Sequence, residues 1–103
     1  MIVITHVFHV PSGLNQLAQV VPLELIDVFN QMRQVAIERG AEIAISAENN
    51  IDRIETITWP SREVLNDFLV FANTNHDYDN LYEVMRVYVE TVGGTITRTE
   101  EER

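Results

Sequence analysis

The stretch Ile2-Val3-Ile4-Thr5-His6-Val7-Phe8-His9-Val10 decides the fold. It is dense in β-branched and aromatic residues and stops at Pro11-Ser12-Gly13, as a strand running into a turn does. Strand side chains alternate between faces, so Ile2, Ile4, His6, Phe8 and Val10 share one side and Val3, Thr5, Val7 and His9 the other. Both sets are largely apolar. A strand of that kind belongs in the middle of a sheet covered on both sides, by helices on one face and a partner subunit on the other.

Outward from this strand, Leu14 to Arg39 follows a helical period interrupted at Pro22. This pattern predicts a short opening turn and a main helix starting near Pro22, since proline suits the first helical position. Leu25, Val28, Phe29, Met32, Val35 and Ala36 form its apolar stripe, and Gly40 ends it. Residues Ala41–Glu48 alternate, with Ile43, Ile45 and Ala47 on one side, and Asn49-Asn50 is a tight-turn pair before the returning strand Ile51–Trp59. Ser61 follows Pro60 as a helix cap. Val64, Leu65, Phe68, Leu69 and Ala72 then make one helical stripe up to the polar stretch Asn73–Asp77. A second piece begins at Tyr78 or Asp79, carries Leu81, Val84, Met85, Tyr88 and Val92, and stops at Gly93-Gly94. Thr95–Thr99 reads as a short last strand before an acidic tail, Glu100–Arg103.

The order is therefore β-α-β-β-α-β with a broken second helix. It predicts an α+β, ferredoxin-like domain over residues 1–99, with a four-stranded antiparallel sheet and helices on one face. A chain of 103 residues accommodates one such domain. Its 46% hydrophobic and 22% charged residues are those of an ordinary globular protein.

The formal charge is -9, and every basic residue is arginine. A surface of that sign repels phosphate backbones and anionic bilayers, so neither nucleic acid nor a membrane surface is an expected partner. Without cysteine, disulfides, thiolate metal sites and cysteine nucleophiles are excluded. The apolar run Met1–Val10 is too short and too polar for a signal peptide or a membrane span, which makes the cytoplasm the expected location.

Few residues invite chemistry. His6 sits on the apolar face assigned to the helices. It is either a core histidine with a hydrogen-bond partner or a polar group aimed into a ligand pocket. His9 has opposite parity, so the two cannot share a metal on a regular strand, and His9 falls on the partner-facing side. His76-Asp77-Tyr78-Asp79 gathers an imidazole and two carboxylates, but its spacing matches no metal-ligand motif. An aspartate-capped helix break explains the cluster; if that break lines a pocket mouth, His76 becomes an acid–base candidate. Trp59, at a strand end, is there to pack. No phosphate loop, nucleophile elbow or paired-histidine helix is present, so no cofactor and no metal are expected.

The stretch Thr58-Trp59-Pro60-Ser61-Arg62-Glu63-Val64-Leu65-Asn66-Asp67-Phe68-Leu69 resembles the strand-to-helix junction of the dimeric α/β-barrel superfamily. That grouping includes antibiotic-biosynthesis and heme-degrading monooxygenases. The resemblance implies dimerisation through the exposed sheet face and a pocket between sheet and helices. In the heme-degrading branch an asparagine, a tryptophan and a histidine surround the heme. His6, Phe68 and Tyr78 stand at those positions here, with His76 two residues before the last. None of the three is kept, so the resemblance implies the cavity and not the heme chemistry.

Three functions follow as expectations. The first is a cofactor-independent, monooxygenase-like enzyme acting on an electron-rich aromatic molecule, with His6 and His76 handling protons and Phe8, Trp59, Phe68 and Tyr78 lining the site. The second is a binding module using the same cavity without chemistry. The third is an interaction domain whose sheet face pairs subunits.

Overall fold

The structure, a computed structural model, describes residues 1–11, 25–49, 51–75 and 81–103. Its elements are β1 (Ile2–His9), α1 (Ile26–Glu38), β2 (Glu42–Glu48), β3 (Asp52–Trp59), α2 (Arg62–Thr74), α3 (Leu81–Thr91) and β4 (Thr95–Glu102). The four strands form one antiparallel sheet in the order β2-β3-β1-β4. That is the strand order of a ferredoxin-like sheet, and its second crossover arm is carried by two helices, as the break in the sequence pattern predicts. The expected turn at Ser12-Gly13, the helix start at Pro22, Asn50 and the cluster His76–Asp79 lie outside the described residues.

β1 is central, paired to β3 on one side and β4 on the other. Directly opposed residues point to the same side of a sheet. Ile2, Ile4, His6 and Phe8 therefore share a face with Trp59, Ile57, Glu55 and Arg53 of β3 and with Glu102, Glu100, Arg98 and Ile96 of β4. All three helices pack on this face.

The core there forms two clusters. One joins Ile2, Ile4 and Trp59 to Ala36 of α1 and to Leu65, Phe68 and Ala72 of α2. The other joins Phe8, Val10 and Ile96 to Met85 and Val89 of α3. Trp59 and Phe68 meet at 4.8 Å between ring centroids, tilted by 40°, a contact adding about 0.5–1.5 kcal/mol to the burial itself.

Local signals explain most boundaries. The Ser61 hydroxyl accepts the Val64 N–H at 3.2 Å and caps α2. Asn49 Oδ1 accepts the N–H groups of Ile51 and Asp52 at 2.7 and 2.8 Å, closing the β2–β3 turn. Gly40, at φ +97°, ends the α1 segment in a left-handed conformation that a side chain would strain.

Three expectations need correction. β4 runs through Glu102, three residues beyond Thr99, because Glu100, Glu101 and Glu102 pair with Ile4, Val3 and Ile2. The ladder to β1 overrides the weak strand propensity of glutamate on an exposed edge. The strict alternation of β2 ends in a bulge between Ile45 and Ala47, and Ile45, on this edge strand, is 44% exposed. The buried stripe of α3 is Leu81, Met85 and Val89, while Val84 and Val92 are exposed. Apolar residues occur around most of this short helix, so periodicity alone left its inward face ambiguous; packing against Phe8, Val10 and Ile96 selects it.

At the join between α3 and β4 the backbone comes close to its neighbours. A Cβ on Gly94 would stand 2.7 Å from the His9 carbonyl oxygen and 2.9 Å from Val89 Cγ1. Gly94→Ala is expected to lower stability by about 1–3 kcal/mol, read as a drop in the urea midpoint at unchanged slope; an unchanged midpoint would mean that the junction yields freely.

Candidate functional site

Between the two core clusters the helix-facing side of the sheet holds a cavity of about 450 Å³, within the roughly 300–1,000 Å³ of small-molecule sites. Ile4, His6 and Phe8 of β1 form its floor with Ile43, Glu55, Ile57 and Arg98 from the other strands. Phe29, Met32, Arg33 and Ala36 of α1, Leu65, Phe68 and Leu69 of α2, and Leu81, Tyr82 and Met85 of α3 complete the walls. The lining is overwhelmingly apolar, and its polar groups gather at one place.

That place is a single row across three strands. His6 pairs with Glu55 on one side and with Arg98 on the other, so a carboxylate, an imidazole and a guanidinium lie abreast on the floor. Glu55 is 4% exposed. Arg33 Nη1 donates to its Oε2 at 2.9 Å and Arg53 Nη2 to the same oxygen at 3.3 Å. A buried carboxylate without such partners would be neutralised or would unfold its surroundings. Arg33 also lies over the Phe29 ring of its own helix at 5.6 Å, while its bond to Glu55 ties α1 to the charged floor.

His6 sits between Phe8 and Tyr82, at 6.3 and 5.6 Å between ring centroids. Among the described residues no hydrogen bond reaches its ring. Burial is the main cause that pushes the imidazole below its ordinary value; nearby Glu55 pulls the other way and Arg98 adds to the lowering. The group is neutral near pH 7, with one ring nitrogen able to accept a proton.

No family model matches the chain, and no curated protein does. Among solved structures it is similar to a C-terminal segment of the alpha subunit of aIF2 from Pyrococcus abyssi, at 13% identity and a TM-score of 0.45. The match covers 100% of this chain and 51% of that one, so the chain spans about half its length. A likeness of that size carries no functional conclusion.

Of the site residues expected from the sequence, His6, Phe8 and Phe68 line the cavity. Trp59 does not; it is 2% exposed, and it supports the wall from behind by packing on Phe68. His76 and Tyr78 lie outside the described residues. His9 is on the opposite face, where its Nδ1 meets Asp52 Oδ1 at 2.5 Å. Sequence reasoning missed Glu55, Arg33, Arg98 and Tyr82. Strand parity would have placed Glu55 and Arg98 beside His6 only once the register was known. Among the described residues no cluster of three or more histidines and carboxylates could hold a metal, and no helix is long and apolar enough to cross a membrane.

The sign of the His6 contribution to stability follows from its lowered affinity for protons. Below the ordinary value of 6.5 the unfolded chain takes up a proton that the folded chain resists, so this contribution is full above that pH and is lost as pH falls beneath it. Replacing His6 by Gln is expected to flatten that part of the profile. Melting temperatures of both proteins between about pH 7.5 and 5.5 check it; parallel curves would show that His6 protonates freely in the fold.

Proposed function

We propose that the protein binds a small, largely apolar or aromatic molecule in the cavity between sheet and helices. The observation that carries this reading is the cavity itself: about 450 Å³, walled by all three helices and apolar apart from one polar row. A cleft of this volume with so apolar a lining is where a small molecule of that kind would bury most of its surface. Naphthol titrated into isotope-labelled protein is expected to shift the amide resonances of Ile4, His6, Phe8 and Phe68. Ile43→Trp, which adds volume at the cavity edge, is expected to abolish those shifts. Shifts confined to other surfaces, or none, would remove the cavity as a binding site.

An oxygenase-like activity is the catalytic form of the same reading. His6 favours it, being neutral, unpaired among the described residues and in contact with the cavity. In this reading it takes one proton from a phenolic substrate lying against Tyr82 and Phe8. The resemblance to the dimeric α/β-barrel superfamily points the same way. A non-catalytic binding or interaction domain is the alternative, and oxygen uptake with a quinol separates the two: uptake that survives His6→Ala would exclude His6 from the chemistry.

For the dimer that this reading includes, the face of the sheet away from the helices is the proposed meeting surface. On the side of the sheet away from the helices, Val3, Thr5 and Val7 stand beside Thr58, Thr56 and Ile54 and beside Thr99 and Thr97. Among the described residues no charged side chain occupies this central patch; Asp52, Glu42 and Glu101 lie at its ends. In a chain of net charge -9, an uncharged patch is where two copies can meet with least repulsion. Light scattering at high micromolar concentration is expected to give twice the chain mass for the native protein and the single mass for Thr56→Lys. A native monomer would exclude the dimer.

A further inference from the structure

The polar end of the cavity carries an excess of positive charge, although the whole chain carries -9. Three of the seven arginines, Arg33, Arg53 and Arg98, stand on the helix-facing side of the sheet around one buried carboxylate, Glu55. Each guanidinium has five N–H donors, and Glu55 cannot satisfy them all. Both ion pairs fall on the same oxygen, Oε2, and Arg53 Nε is buried with no partner. Arg98 lines the cavity and donates no hydrogen bond to any described residue. Glu100 Oε1 stands 3.8 Å from it, beyond hydrogen-bonding distance, and the other Glu100 oxygen takes its hydrogen bond from Arg62 at 3.2 Å.

We propose that the ligand is an amphipathic anion, an apolar ring body carrying one carboxylate, with the carboxylate held by Arg98 and the body lying among Phe8, Phe68, Tyr82 and Met85. This deepens the proposed binding function and rests on it. The neutral His6 beside Arg98 supplies a further polar contact without adding a charge of its own. A cationic ligand would need Glu55, but that carboxylate is 4% exposed and already held by two guanidinium groups. A neutral ligand would forgo the charge-assisted hydrogen bonds that Arg98, 36% exposed and lining the cavity, can donate. The overall negative charge does not forbid an anion, because charges more than about 8 Å away are largely screened at physiological salt, whereas Arg98 would act at contact distance.

The test uses calorimetry on the full chain with three probes of equal shape: naphthoate, naphthamide and naphthylmethylamine. Naphthoate is expected to bind about tenfold or more tighter than naphthamide, the size of a charge-assisted hydrogen bond, and added salt is expected to shrink the difference. Arg98→Gln should erase the preference, the naphthoate affinity falling to that of naphthamide. Arg103→Gln, the same charge change away from the cavity, should leave the preference intact. Equal binding of acid and amide, tighter binding of the amine, or a preference that survives Arg98→Gln would each overturn the proposal while leaving the cavity as a binding site. Failure of all three probes would overturn the binding function together with the proposal. The acid–amide comparison needs only the native protein, so it decides even if Arg98→Gln does not fold.

Discussion

Glu55, His6 and Arg98 lie in one row because the registers of β3, β1 and β4 put them there, and the rest of the structure arranges itself around that row. On either side of it β1 offers hydrocarbon: Ile2 and Ile4 toward one end, Phe8 and Val10 toward the other. A carboxylate buried to 4% exposure has to be compensated, and Arg33 and Arg53 do so from α1 and from β3 itself. Hydrocarbon cannot be laid directly over such a row without stranding donors and acceptors. The core divides at this point, and the cavity occupies the division.

The same constraint makes sense of the two-helix second arm. α2 packs with α1 on the Ile2–Ile4–Trp59 end, while α3 packs on the Phe8–Val10–Ile96 end. Each helix serves a separate hydrophobic cluster, and the residues that face the gap between clusters, Phe68 and Leu69 of α2 and Tyr82 of α3, become walls of the cavity. Trp59 and the Gly94 approach then hold the two clusters at fixed positions on the sheet, the first through Phe68 and the second through Val89. The cavity is thereby supported from both sides by well-packed residues that do not themselves touch its space.

Much of this was legible in the residues alone. The parity of β1 separated His6 from His9 correctly, because alternation is a property of the strand itself. The Ser61 cap, the Asn49 turn and the Gly40 and Gly93 stops are likewise local, and local chemistry is written locally. What escaped were pairings. Glu55 lies in Asp52-Arg53-Ile54-Glu55-Thr56, which looks like a solvated strand, and only its register opposite His6 reveals it as the buried charge. Glu100–Glu102 looks like a tail until its ladder to Ile2–Ile4 is seen. The buried face of α3 was read only in part, with Leu81 and Met85 but not Val89, since a helix apolar on several sides declares its inward face only against a partner.

Charge distribution separates the cavity from the rest of the molecule. Most of the surface arginines are spent on glutamates close in sequence or across one strand: Arg86 on Glu83 and Glu90, Arg103 on Glu101, Arg62 on Glu100. Such exposed pairs contribute little to stability, and they leave the acidic excess spread over the outside. Around the cavity, Arg33 and Arg53 share the Glu55 carboxylate, while Arg98 lines the pocket with Glu100 at 3.8 Å. If the floor served stability alone, an apolar row would have done so at lower desolvation cost. A buried charge kept in a small core, beside an imidazole with no hydrogen bond among the described residues and against the cavity, is the arrangement on which the proposed binding rests.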